Sequence, residues 1–251
     1  MGDIAVVFSG GGAKGAYSIG VWKALNDLNV LEKVKVISAT SIGAINAVLA
    51  VKGDIDAGIN FWNNIRRADI APMKIREIRK MIIRGSLFDK YAIDYLLESN
   101  LDMNLLMKSD IDILVTCTNI KYVFPKKEVY SLKDYDKETI KDIIISSCCI
   151  PLAFKHHKIN DKGIYFDGGI VSRTPIEALK KRRFDKIVVI HLDKFGRFNR
   201  LKYRGENVKN IYPSKYLGGI LMGTYGFIPE LNNKRIMAGY NDAIKELKGW
   251  I

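Results

Sequence analysis

The chain opens on five consecutive apolar residues, Ile4-Ala5-Val6-Val7-Phe8, which run without a polar break into Ser9-Gly10-Gly11-Gly12-Ala13-Lys14-Gly15. A strand with no polar alternation is covered on both faces, as strands inside parallel sheets are. Glycines at 10, 11, 12 and 15 allow a turn too tight for side chains. From Ala16 to Leu28 the residues Ile19, Trp22 and Leu25 recur at helical spacing. A buried strand, a glycine turn and a helix in succession commit the chain to an α/β layout.

The rest of the chain keeps that alternation. Val34 to Ile37 reads as a second strand ending at Ser38. Ile42 to Val51 is a helix of small and apolar residues suited to burial against a sheet. The more polar stretch 54–104 reads as mostly helical. Ile111 to Thr116 is a third strand, Val123 to Tyr130 a hairpin pair, and Thr139 to Ser146 a helix that must stop before Pro151. Gly163 to Phe166 is a short strand. Thr174, Pro175 and Glu177 have the spacing of a capped helix start. Lys186 to Leu192 is a further strand, and 232–250 a closing helix with Ile236, Tyr240, Ile244 and Leu247 on one stripe, continued by Ile251. The pattern predicts one domain over residues 1–251, a three-layer α/β/α sandwich on a mostly parallel central sheet. A length of 251 residues suits one large core. There is no internal repeat, and Phe195 to Tyr216 is the one basic, linker-like stretch.

Three short segments carry candidate chemistry. Successive glycines at 10, 11 and 12 can aim backbone N–H groups at one point, and the following helix adds its positive end, so a developing alkoxide would be stabilised there. Lys14 adds a positive charge to that loop, or is simply a solvated lysine or tether. Ala39-Thr40-Ser41-Ile42-Gly43 sets a serine between a strand and a helix with small neighbours, the setting of a nucleophile elbow. A serine there can equally cap the helix. Asp167-Gly168-Gly169 supplies a carboxylate after a strand, either as a base for the serine or as an ordinary aspartate in a turn.

Two other layouts compete. Gly10-x-Gly12-x-x-Gly15 after a strand also satisfies the dinucleotide-binding fingerprint, but the second strand closes Val36-Ile37-Ser38-Ala39 without the acid that would hold a ribose. Lys14 is followed by Gly15-Ala16, which does not fit a phosphate-binding P-loop. Ser41, Asp167 and His191 would follow the chain order of an α/β-hydrolase triad. His156 and His157 have no acidic residues spaced around them for a metal.

In order and spacing these segments resemble the patatin-like phospholipases, whose pattern is a G-G-G-x-[K/R]-G loop, a G-x-S-x-G elbow and a D-G-[G/A] motif. The resemblance covers roughly 4–50 and 140–192, including the small-residue run Ser146 to Pro151. It implies a serine lipid acyl hydrolase with a Ser41–Asp167 dyad, an oxyanion hole at Gly10, Gly11 and Gly12, and Lys14, Gly15, Gly43, Gly168 and Gly169 as supporting positions. Ala39 stands where the family pattern has its first glycine, and it is still small. A catalytically weak member that acts by binding lipid is the other outcome. The resemblance implies a lipid or fatty-acyl ester substrate and no metal or organic cofactor.

The net charge of +13 and pI near 9.5 draw the chain toward anionic partners. It shows no nucleic-acid-reading signature, so no specific nucleic acid is expected, but charge alone does not choose between nucleic acid and a peripheral anionic membrane surface. The amphipathic, basic 74–84 segment could rest on such a surface or pack on the domain. The tract 194–215, with Lys194, Arg197, Arg200, Lys202, Arg204 and Lys209 among aromatics, suits an interface with lipid head groups or with RNA, or is simply a surface loop. Cys117, Cys148 and Cys149 are odd in number, and two of them are adjacent. They predict no disulfide framework, no zinc site and a reducing, cytoplasmic setting. No signal peptide or myristoylation signal stands at the start, since Val6 occupies the serine or threonine position.

Overall fold

Strand β1 (Ile4–Phe8) is buried along its whole length, as its unbroken apolar sequence requires. The computed structural model describes residues 2–66, 69, 103–151, 154, 156–160, 162–193 and 205–251. Within them β1 pairs in parallel with β2 (Val34–Thr40) on one side and with β7 (Lys186–Ile190) on the other. Beyond these, β2 pairs in parallel with β3 (Asp112–Asn119), and β7 with β8 (Val208–Ile211). Strands β4 (Lys126–Ser131), β5 (His157–Ile159) and β6 (Lys162–Asp167) are antiparallel to their partners.

The arrangement around β3 positions the site. β4 pairs with one edge of β3 from Leu114 to Asn119. On the opposite edge β2 pairs as far as Thr116, and there β6 takes over, pairing Asp167 with Cys117. β2 and β6 therefore run head-on along a single edge of β3. Thr40 and Asp167 come to adjacent positions, although 126 residues separate Ser41 from Asp167.

Alternation along β1 separates the two faces. Ile4, Val6 and Phe8 join the main core, while Ala5 and Val7 join a smaller cluster with Val36, Leu114, Leu179 and Val189. The main core lies under helices α1 (Ala16–Asp27), α2 (Ile42–Val51), α3 (Ile55–Asn64) and the closing helix (Pro229–Leu247), with a further helix (Lys137–Cys148) packed on β3, β5 and β6. The opposite face is covered, among the described residues, by the single 3₁₀ turn Ile176–Leu179 and Phe184. In chain order α4 is Met103–Lys108, α5 is Lys137–Cys148 and α6 is Pro229–Leu247. Helices α1 and α6 cross at backbone distance. A Cβ on Gly20 would lie 1.9 Å from Ile236 O, and one on Gly239 would lie 2.0 Å from Tyr17 O. Tyr17 Oη donates to Asp242 at 2.9 Å across the same contact.

The structure corrects three sequence expectations. β2 continues through Thr40 rather than ending at Ser38, because Ser38 and Thr40 turn their hydroxyls to the carbonyls of Pro175 and Ser172 and so remain satisfied inside the sheet. Val123 to Tyr130 is not a hairpin in itself. Its second half is β4, which pairs with β3 across the loop 120–125. Thr174 caps no helix, since its Oγ1 lies 2.8 Å from Ser9 Oγ and only a 3₁₀ turn follows. Glu177 accepts instead from Ser172 and Lys127. Of the helical stretch over 54–104, α3 and the start of α4 are described, and the basic 74–84 segment lies outside the described residues, as does 194–204 of the second basic tract.

Candidate active site

Ser41 follows β2 and precedes α2 with φ 56° and ψ −131°, a left-handed conformation that a non-glycine residue holds only under constraint. The constraint comes from both sides. Its N–H donates to Ser147 Oγ at 2.8 Å, and Ser147 in turn donates to Thr116 O at 2.8 Å. On the helix side Gly43 passes so close to β1 that a Cβ there would lie 2.4 Å from Phe8 O. Ser41 stands at the N-cap position of α2, yet its side chain makes no capping bond. It donates to Asp167 Oδ2 at 2.5 Å instead. Ala39 occupies an ordinary extended position in β2 opposite Val115 and is fully buried, so an alanine needs no glycine conformation there.

Asp167 closes β6, with its second oxygen accepting from Gly169 N at 2.7 Å. Its backbone is fixed by Cys149 O and by Thr118 Oγ1. Burial pushes its carboxyl up to about 6, against the Ser41 and Gly169 hydrogen bonds and the Arg173 charge, which favour the carboxylate. A carboxyl raised in this way and already bonded to a hydroxyl is suited to take its proton. Ser41 meets Asp167 directly, with no imidazole between them. His191 is buried at the end of β7. Its Nε2 lies 2.8 Å from Asn210 Oδ1, its ring stacks on Tyr212, and burial holds it toward the neutral form. His157 pairs with Asp142 through Nε2.

The glycine loop adjoins the serine: a Cβ on Gly10 would sit 3.2 Å from Ser41 Cβ. Gly10 is not a free donor, however, because its N–H donates to Arg173 O at 2.9 Å. That removes Gly10 from the expected oxyanion donors. Gly11 and Gly12 begin the 3₁₀ turn Gly12–Gly15, where N–H groups have no partner within the turn, and no described backbone bond takes them. Gly12 has φ 61°, and a Cβ there would lie 2.1 Å from Thr224 O. Lys14, on the same turn, is half-buried, and burial lowers its ammonium pKa, opposed by Asp193.

Beneath the loop is a polar network that the sequence did not announce. Asn46 on α2 donates to Gly15 O and accepts from Trp62 Nε1, both at 2.9 Å. Arg235 on α6 donates to Ala13 O, Gly226 O, Leu217 O, Met222 O and Asn232 Oδ1. The signal available was a polar residue inside an apolar helix run, as Asn46 is in Ile42-Gly43-Ala44-Ile45-Asn46-Ala47-Val48. The segment 172–175 is likewise stitched to the ends of β1 and β2 through Ser9, Gly10, Ser38 and Thr40. Among the described residues no three His, Cys, Asp or Glu side chains gather as a metal site needs, and no helix is long and apolar enough to cross a membrane. The three cysteines are buried and in no disulfide, and burial raises the Cys117 and Cys148 thiols.

Comparison with known proteins gives a consistent fold. VipD from Legionella pneumophila is similar at 15% identity and TM-score 0.55, covering 99% of this chain and 67% of that one. The type III effector ExoU follows at 17% and 0.51, with 99% and 53% covered. A human GIVD cytosolic phospholipase A2 stands at 13% and 0.52, with 99% and 58% covered. The chain thus spans little more than half the length of the latter two, and at these identities the likeness is one of fold. No curated protein sequence matches the chain significantly. The patatin-like phospholipase family model matches residues 6–180, which take in the glycine loop, the Ser41 elbow and Asp167. The chain belongs to the patatin-like phospholipase family.

Proposed function

We propose that the protein is a serine lipid acyl hydrolase working through a Ser41–Asp167 dyad. The observation that carries this reading is a serine held at φ 56° whose Oγ lies 2.5 Å from a buried carboxylate. Family membership supports lipid as the substrate class. In the first half-reaction Ser41 Oγ attacks the ester carbonyl carbon and its proton passes to Asp167. The N–H groups of Gly11 and Gly12 receive the oxyanion, with the Lys14 charge nearby. Collapse breaks the acyl–oxygen bond, and the departing alcohol takes the proton back from Asp167. In the second half-reaction Asp167 deprotonates a water that attacks the acyl-serine, releasing the fatty acid and restoring the Ser41 hydroxyl.

A fluorophosphonate probe, the reagent class held by the human neighbour, tests the nucleophile. Peptide mapping after labelling should find the adduct on Ser41 alone. Labelling at another serine, or none with esterase activity retained, would overturn the assignment.

The raised carboxyl also sets the pH profile. Asp167 must be ionised to accept a proton, and burial places that ionisation near about 6. Hydrolysis of a soluble p-nitrophenyl ester should therefore climb tenfold per pH unit below that value and level off above it. A plateau reached near the ordinary carboxyl range would mean that Asp167 is not the base.

A further inference from the structure

After β8 the chain makes a single π-type turn, Ile220–Thr224. It lies beyond the carboxyl end of a strand parallel to β7, β1 and β2, the same end of the sheet as Ser41 and the glycine loop. Tyr216, Ile220 and Leu221 are 78, 73 and 71% exposed, with Met222 exposed beside them. Isolated exposed apolar residues are ordinary, but four within seven residues make a patch.

We propose that the segment 215–222, which leads into this turn, is the element that seats the protein on an anionic lipid surface, next to the site from which a lipid ester would be hydrolysed. The location rests on the lipid-hydrolase reading, whereas the docking is measured by binding rather than turnover. Three observations support it. The carbonyls of Leu217 and Met222 accept from the Arg235 guanidinium behind the segment, and Gly219 O and Ile220 O accept from the N–H groups of Gly223, Thr224 and Tyr225. Carbonyls already bonded in this way lower the cost of bringing the segment against an apolar medium. The charge is also right. Between Asn207 and Pro229 the chain holds Lys209 and Lys215 and no acid, within a molecule of net charge +13. A lysine and a tyrosine beside aliphatic tips suit a head-group boundary, where a cation and a phenol stay wet while the tips are buried. Finally, the turn rests on the catalytic loop itself. Thr224 O lies against Gly12, and Arg235 binds Ala13 O as well as the turn. Lipid seated on 215–222 would thus meet the oxyanion loop directly.

The full-length chain, carrying Ser41→Ala so that vesicles are not consumed, should co-sediment with vesicles of equal phosphatidylcholine and phosphatidylglycerol, and far less with phosphatidylcholine alone. Adding Ile220→Ser and Leu221→Ser should weaken that binding by about tenfold or more. With Ser41 intact, the same two changes should leave thermal melting and soluble-ester turnover unchanged, since both side chains point to solvent. A Leu221→Trp variant should shift its emission to the blue when anionic vesicles are added. Unchanged vesicle binding in the double variant would overturn the proposal. So would loss of binding only with Val123→Ser and Phe124→Ser on the β3–β4 loop, or self-association through the turn without vesicle binding. Turn-dependent vesicle binding by a chain with no esterase activity would sink the hydrolase reading while leaving the docking surface standing.

Discussion

Ser41→Ala should abolish ester hydrolysis, by about 10⁴-fold or more, because no other group in the dyad can form the acyl-enzyme. Folding should survive the change. The methyl group of alanine fits the Ser41 site, and the Ser147 anchor on the backbone N–H is untouched. Stability should fall by about 1.5–3 kcal/mol, the value of one hydrogen bond lost to a buried carboxylate. A second substitution separates strain from chemistry. Ser41 sits at φ 56° and ψ −131°, which glycine tolerates and alanine does not. Ser41→Gly should therefore be as inactive as Ser41→Ala yet more stable by about 1–3 kcal/mol. Denaturant titrations of the two variants give the difference directly. Equal stability would mean that the elbow is relaxed, and that the serine's backbone is not held against its own preference for the sake of exposing Oγ.

The glycine loop, the elbow and the Asp167 turn were legible in the sequence because each depends on local backbone chemistry. A glycine run, a serine between a strand and a helix, and an aspartate before two glycines are recognisable without tertiary context. The pairing of Ser41 with Asp167 was reachable only through the family resemblance. Its physical cause, the head-on meeting of β2 and β6 on one edge of β3, is a matter of register across distant segments. Gly10 shows the limit most clearly. As a residue it fits an oxyanion hole, but its N–H is committed to Arg173 O, 163 positions away. Thr174 failed for the same reason: a good local cap was outcompeted by Ser9, just beyond the end of β1. Arg235 has no local signature, and Asn46 has only that of a polar residue inside an apolar helix run. Their roles come from carbonyls that the fold leaves pointing inward beneath the glycine loop.

Asp167→Asn should lose about 10²–10⁴-fold in turnover, the range expected when a positioned base is removed. The same change should make the protein more stable at neutral pH. Burial raises the folded-state pKa of Asp167 to about 6, so the folded protein binds this proton more tightly than the unfolded chain does. The stabilising contribution of that proton is complete below the ordinary carboxyl pKa and is lost as the pH rises through about 6. Above that point the wild type carries a buried charge that asparagine does not, and the penalty is about 3 kcal/mol. Asparagine can still accept from Gly169 N and meet the Ser41 hydroxyl, so the geometry gives no opposing loss. Denaturation at about pH 8 should show Asp167→Asn the more stable protein, with the gap closing toward about pH 4 as the wild-type carboxyl protonates. A pH-independent loss of stability instead would mark Asp167 as a structural aspartate in a glycine turn. A variant that is both more stable and inactive would show that this carboxylate is kept in place at the expense of the fold.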